Sequence, residues 1–357
     1  MQKNRIEQIR SYISENKLDS IILNSSKSLR YFFGFTGSSG LGLITGKTVF
    51  FITDFRYRSQ TFSEVTADEI VIVDTPLFDN LASIEAFQAP SGMRVGFEAE
   101  YISYHDYCSL NNYSFHELLP CEEVTAGITS IKSDFEVEQI RKACEVTVLV
   151  YNEIINCFKE NVSELDIAAE ISYRIKKSGG EGDAFNPHVL FGAHTAFPHG
   201  TSKNNKLQPG DLIQLDFGAV YNGYHSDFSR VLLFGKPGRE QKELYLAVRD
   251  AIEHAIACIK PGVPAQKIDK TARNRIERRG FDLYFKHASG HGVGLEIHEL
   301  PRISLKNEDP VRAGNVFTIE PGVYIPGLGG VRIEDVVSVG TSDISILTDT
   351  SRDLVLL

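Results

Sequence analysis

The dipeptide Asn222-Gly223 constrains the fold of this chain more tightly than any other pair of residues in it. Both residues accept positive φ, which makes them the strongest two-residue signal for a β-hairpin loop. The run Leu212-Ile213-Gln214-Leu215-Asp216-Phe217-Gly218 reads as the strand entering that loop. With Asn222-Gly223 at the tip, Tyr221 pairs with Tyr224 and Asp216 pairs with Ser229. Asp227 then stands two residues from Ser229 on the same pleated face, diagonal to Asp216. Diagonal neighbours sit ~7–8 Å apart at the backbone, so both carboxylates reach one shared volume. A slip of one residue would turn one of them to the opposite face.

Three residues downstream offer ligand atoms of the same kind. His291 lies in Ser289-Gly290-His291-Gly292-Val293-Gly294, between glycines that permit close backbone approach. Glu320 ends the strand Val316-Phe317-Thr318-Ile319 and is followed at once by Pro321-Gly322, which fixes a turn. Glu334, in Val331-Arg332-Ile333-Glu334-Asp335, shares a strand face with Arg332. Singly, these residues have ordinary explanations: a solvated Asp pair at a hairpin, a packing histidine, a turn glutamate, an ion pair across a sheet. Together, four carboxylates and one imidazole can bind two divalent cations and hold a water between them. Hard carboxylate oxygens suit Mn, Co or Fe in octahedral-like geometry better than a Cys-rich zinc site does. Bridging carboxylates would set the ions ~3.5–4 Å apart, the spacing of two-metal hydrolases.

At 357 residues the chain is too long for one ordinary core, and two domains are expected. Residues 1–125 read as a small α/β domain around a mixed sheet. A helix over 6–15 precedes strands at 20–23, 41–44 and 49–52, with Gly46-Lys47 at a turn. A strand at 69–73, a helix near 78–87 and a strand at 94–97 complete it. The second domain, 126–357, opens on a capping box, Ser133-Asp134-Phe135-Glu136, that starts a long helix. Ser163 caps a second helix ending at Gly179-Gly180. Helices over 241–259 and 265–279, separated by Pro261-Gly262, interrupt an otherwise strand-rich pattern.

The formal charge of −10 argues against nucleic acid as a partner, since counterion release needs massed Lys and Arg. The opening residues lead into an amphipathic stretch without the apolar run of a signal peptide. No stretch approaches the roughly 20 apolar residues that span a bilayer. Five cysteines, odd in number and without a Cys-x-x-Cys pair, predict free thiols in a reducing compartment and hence a cytoplasmic protein.

The ordered set Asp216, Asp227, His291, Glu320 and Glu334 resembles the metal site of the creatinase/prolidase, or pita-bread, metallopeptidases. His287-Ala288-Ser289-Gly290-His291-Gly292-Val293-Gly294-Leu295-Glu296-Ile297-His298-Glu299 resembles the signature of their proline-specific branch, prolidase and Xaa-Pro aminopeptidase. Ala288-Ser289 departs mildly from the usual pattern, between functional histidines rather than on one. The resemblance covers nearly the whole chain. It implies an α/β N-terminal domain of the creatinase type followed by an α+β pita-bread catalytic domain. His199, in Pro198-His199-Gly200 and seventeen residues before Asp216, resembles the family's substrate-binding histidine. His298 resembles the histidine that steadies the scissile carbonyl and its tetrahedral intermediate. His287 resembles a substrate-pocket histidine, Tyr324 the tyrosine near the metals, and Arg332 the arginine that braces the site or engages substrate.

The resemblance implies hydrolysis of the bond between an N-terminal residue and a following proline. The cofactor it implies is a pair of divalent ions, with manganese first and cobalt, iron or zinc as alternatives. Glu320 would serve as ligand and proton carrier, His298 would hydrogen-bond the oxyanion, and His199 and Arg332 would position the substrate. The implied partners are a peptide with proline at its second position and a second copy of the chain in a homodimer, with no membrane. A methionine or general aminopeptidase is the nearest alternative, because the metal ligands alone do not select the residue after the scissile bond. A catalytically inactive binding protein on the same fold is the alternative of another class. The aromatic segment Tyr31-Phe32-Phe33-Gly34-Phe35-Thr36-Gly37-Ser38 reads either as core of its own domain or as a lid or subunit contact over the pocket.

Overall fold

The structure is a computed structural model that describes residues 2–74, 76–83, 92–113, 117–121 and 124–357. They fall into two compact units, Met1–Ile128 and Thr129–Leu357. The first is built on a six-stranded mixed sheet. Its order from one edge is Glu69–Val73, Val49–Asp54, Leu41–Thr45, Ser20–Leu23, Arg94–Glu98 and Glu117–Cys121. Ser20–Leu23 is buried along its whole length, as an apolar run in a central strand must be. It pairs antiparallel with Leu41–Thr45 and parallel with Arg94–Glu98. A helix at Gln2–Glu15 precedes it. The helix expected near 78–87 is a 3-10 turn at Leu77–Ser83, and 84–87 lie outside the described residues.

The aromatic segment belongs to the core of this unit. Tyr31, Phe32, Phe33 and Phe35 are all buried. Leu29–Phe33 forms a π-helical turn that ends at Gly34 with φ 81°. The Phe35 ring packs against Phe51 and Tyr57, with centroids 4.8 and 5.6 Å apart. The lid alternative is therefore corrected for these side chains: a ring this enclosed has no face left to close over a substrate.

The second unit places two helix pairs against sheets. Asp134–Ile154 and Glu164–Lys177 pack on the four-stranded sheet Val355–Leu356, Ser229–Leu233, Leu212–Asp216, His188–Phe191. Arg239–Ala257 and Ala265–Arg278 share a second apolar core with the strands Val316–Ile319, Gly329–Arg332 and Asp335–Val339. Capping boxes at Ser133 and Ser163 start the first two helices, each with its hydroxyl accepting from the residue three positions on. Among the described residues no helix is long and apolar enough to cross a membrane.

The hairpin keeps one register from tip to base. Asn222 and Gly223 have φ of 45° and 73°, the two left-handed positions that the loop requires. Tyr221 pairs with Tyr224, and Asp216 with Ser229. Between these points Ser226 N donates to Ala219 O and Phe217 N to Phe228 O. Asp216, Asp227 and Ser229 therefore share a face. The strand carrying Arg332 ends at that residue, and a new strand begins at Asp335. Glu334 falls in the break, bridged to Ser229.

Candidate metal centre

Ligand atoms of Asp227, His291 and Glu334 all lie within 4.8 Å of one another. One ion holding donors at ~2.0–2.2 Å sets them at most ~4.4 Å apart, so only a small closure brings all three onto one ion. Glu320 adjoins this group, with Oε1 3.4 Å from His291 Nε2, and Asp227 Oδ2 lies 3.6 Å from the same nitrogen. Asp216 is held from the other side, its Oδ2 accepting from the Arg332 guanidinium. The five ligands suggested by the sequence thus come from four separate stretches of chain: the hairpin, the His291 strand, the end of Val316–Ile319, and the break after Arg332.

Close backbone packing aims His291. A Cβ on Gly290 would meet the Thr318 carbonyl, and one on Gly292 the Leu300 carbonyl, so only glycine lets these strands approach. His291 N donates to Thr318 Oγ1 at 3.1 Å, and the ring Nδ1 lies 3.0 Å from Gly292 O. That contact makes Nδ1 the donor and leaves Nε2 to face the carboxylates. Burial, with His298 nearby, lowers the His291 pKa to about 4, so the imidazole is neutral and its lone pair is available.

The electrostatics of the cluster favour a bound cation. Burial, reinforced by Asp216 and Glu320, pushes Asp227 well above the usual carboxylate range. Burial and the charges of Asp227, Glu320 and Asp216 do the same to Glu334. Glu320 is raised to about 7, chiefly by burial, with Arg332 opposing and Asp216 adding to the rise. If all four carboxylates ionise against the one guanidinium, the net charge is about −4 + 1 = −3, and uncompensated buried charge costs several kcal/mol per ion. Glu334 Oε1 is also buried without a hydrogen-bond partner among the described residues. An oxygen left bare in an over-negative pocket fits a divalent cation.

All three side-chain nitrogens of Arg332 are engaged by the protein. Nε donates to Ser229 Oγ at 3.1 Å, one terminal nitrogen to Tyr324 Oη at 2.6 Å and Pro198 O at 3.2 Å, and the other to Asp216. Burial works against its charge, but Tyr324, Asp216, Glu320 and Glu334 outweigh that and raise its pKa further. Tyr324 is buried, its hydroxyl pushed up to about 12 mainly by burial, and its ring lies 5.6 Å from that of His287. Burial lowers His287 to about 4 and leaves it neutral.

His298 stands over the centre, its ring centroid 4.3 Å from that of His291. The residue after it is anchored deeply: Glu299 accepts from Lys132 Nζ at 2.6 Å, both side chains buried, and from Glu296 N at 3.2 Å. His199 is exposed. It lies near enough to His287 and His298 to add to the lowering of both their pKa values.

Sequence reasoning missed two hydroxyls. Ser229 Oγ donates to Glu334 Oε2 at 2.9 Å while accepting from Arg332, and Thr318 hydrogen-bonds Glu320 as well as receiving His291 N. Both were findable: Ser229 lies directly opposite Asp216 in the predicted register, and Thr318 sits two residues before Glu320 on the same strand face.

The site and fold together define a class, and comparison with known proteins specifies it. Residues 138–341 match the model of metallopeptidase family M24, and residues 5–128 match the creatinase/prolidase N-terminal domain. The chain belongs to metallopeptidase family M24, whose members use divalent metals, and its fold is a creatinase-type N-terminal domain followed by a pita-bread catalytic domain. It is 34% identical over 355 residues to the uncharacterized peptidase YqhT of Bacillus subtilis, covering 99% of this chain and 100% of that one. Among solved structures it is similar to an Xaa-Pro dipeptidase from Bacillus anthracis, at TM-score 0.96 and 33% identity over the full length of both chains. It is also similar to an X-Pro aminopeptidase from Thermotoga maritima, at TM-score 0.87 and 31% identity over 96% of this chain and 99% of the other.

Proposed function

We propose that this chain is an exopeptidase that hydrolyses the peptide bond between an N-terminal residue and a following proline. The observation that carries this reading is the convergence of Asp227, His291 and Glu334, with Glu320 beside them and Asp216 braced by Arg332. Relatives named as Xaa-Pro dipeptidase and X-Pro aminopeptidase supply the substrate class. The donor set is oxygen-rich, which favours two divalent ions with manganese first and cobalt, iron or zinc behind it. Held by Asp216, Asp227, His291, Glu320 and Glu334, such ions would supply Lewis acidity, making water more acidic and polarising the scissile carbonyl.

The chain's own residues do the rest. Glu320, its pKa raised to about 7 in the metal-free protein, acts in its ionised form as the group to take a proton from the attacking water and pass it to the leaving nitrogen. His298, kept neutral chiefly by burial, donates to the oxygen on which negative charge develops. Arg332 braces Asp216, since all three of its nitrogens are already engaged. His199, exposed, contacts substrate, and His287 and Tyr324 wall the pocket. The scissile nitrogen of an Xaa-Pro bond carries no hydrogen, so pocket shape rather than an amide hydrogen bond selects proline. A homodimer and a cytoplasmic setting complete the proposal, the latter supported by five free cysteines.

The test is turnover of Xaa-Pro dipeptides, Xaa-Pro-Yaa tripeptides and Xaa-Ala controls, with added manganese and after chelation. Cleavage restricted to proline peptides, lost on chelation and restored by manganese, is the expected result. Equal cleavage of Xaa-Ala would make the chain a general aminopeptidase. Failure to retain divalent metal or to cleave any peptide would make it a binding protein.

A further inference from the structure

Glu164 is the first residue of the helix Glu164–Lys177, and its side chain is wholly buried. Its carboxylate gathers both ends of the segment that carries His199. Oε1 accepts from Phe191 N at 2.8 Å and Asn205 Nδ2 at 3.2 Å, and Oε2 from Lys203 N at 2.8 Å. His194 Nδ1 lies 2.8 and 3.1 Å from the two oxygens. The main chain reinforces this closure, with Glu164 N donating to Asn205 O and Leu165 N to Lys203 O.

Between those feet the segment is held on either side of His199. Pro198 O accepts from Arg332 and Gly200 O lies 2.6 Å from His188 Nδ1. The His199 imidazole itself is exposed. Its position is therefore set through the backbone rather than by a bond of its own. A buried carboxylate that closes a loop of about a dozen residues removes much of that loop's freedom.

We propose that Glu164 is a positioning residue for His199, the buried closure that fixes where this imidazole stands beside the centre. The proposal rests on the reading of His199 as a substrate contact. Glutamine cannot replace Glu164: its amide offers one acceptor oxygen, and its NH2 would face an N–H donor.

The experiment is a double-mutant cycle on the full-length, manganese-loaded protein, with kcat/KM measured on an Xaa-Pro dipeptide for wild type, Glu164→Gln, His199→Ala and the double variant. Glu164→Gln should lower kcat/KM on the order of 10- to 100-fold, the cost of a small displacement of a contact residue, with metal content unchanged. In the His199→Ala background the same change should have little further effect. An equal loss in both backgrounds would overturn the proposal while leaving the His199 reading intact. Wild-type kinetics in His199→Ala would overturn that reading and this proposal with it. If Glu164→Gln does not fold, Asn205→Ala, which removes one donor to the same carboxylate, takes its place. There an equal loss in both backgrounds, or none in either, overturns the proposal.

Discussion

Ser229 and Glu334 hold each other twice: Ser229 Oγ donates to Glu334 Oε2 at 2.9 Å, and Glu334 N donates to Ser229 O at 3.1 Å. The first bond leaves Glu334 only one bare oxygen, and the second ties the strand break to the hairpin. Ser229→Ala removes the hydroxyl and keeps the backbone bond. It should weaken manganese binding by about 10- to 100-fold, the usual loss when a hydrogen-bond partner of a ligating carboxylate is removed, with little change in fold. Calorimetric titration of metal-free protein reads this directly; unchanged affinity would mean that Glu334 needs no orienting partner.

Asp227→Asn should abolish peptidase activity without destabilising the metal-free protein. Burial and two neighbouring carboxylates already make ionised Asp227 unfavourable, so a neutral isostere relieves repulsion. The hairpin register depends on Asn222 and Gly223, which the substitution leaves alone. Manganese should raise the Tm of the wild type but much less that of the variant. A variant with normal turnover and full metal content would remove Asp227 from the ligand set.

The hairpin was the most legible part of the centre. Two residues that accept positive φ fix a register, and the register decides which carboxylates face one another. The helices announced themselves through Ser133 and Ser163, because a capping box is local chemistry written in four consecutive residues. Arg332 was visible as a neighbour of Glu334, but its bonds to Ser229, Asp216, Tyr324 and Pro198 O join residues up to 134 positions apart, and no periodicity encodes such distances. The break that frees Glu334 between two strands was hidden for the same reason: both flanks read as continuous β-sequence. The aromatic run around Phe35 stayed ambiguous because composition cannot distinguish a buried ring from a lid.

Metal-free protein should lose stability as pH rises through neutrality, and Glu320→Gln should blunt that loss. In the folded state Glu320 is raised to about 7 from an ordinary 4.5, mainly by burial. Its contribution is therefore fully present below about pH 4.5 and disappears as pH climbs through 7, since the folded state binds the extra proton in that window. With manganese bound the trend reverses, because ligation needs the carboxylates deprotonated. Denaturant midpoints at pH 5 and 8, with and without chelator, give the comparison; parallel pH dependence in wild type and variant would exclude Glu320 as the source.

Phe35→Ala should act on stability rather than on substrate affinity. The ring is buried among Phe51 and Tyr57, and truncating an enclosed phenylalanine costs about 3–5 kcal/mol. Chemical denaturation should show the N-terminal unit unfolding earlier, while KM for an Xaa-Pro dipeptide stays unchanged under conditions where the variant is folded. A raised KM with an unshifted unfolding midpoint would return the segment to a role at the pocket.

His298→Ala separates catalysis from ligation. The imidazole stands over His291 with centroids 4.3 Å apart, yet it lies outside the group formed by Asp227, His291 and Glu334. The residue is exposed, and its lowered pKa, due first to partial desolvation and then to Arg302 and His199, keeps it neutral, with one ring nitrogen available as a donor. The Lys132–Glu299 pair and the Glu296 backbone fix the adjoining residue, so deleting the ring should leave the loop in place. Loss of a preorganised donor to a developing oxyanion costs on the order of 10²–10³ in kcat. Manganese content should stay at the wild-type level, and KM should change far less than kcat. A fall in bound metal that parallels the fall in kcat would instead make His298 a ligand and move the oxyanion contact to another residue.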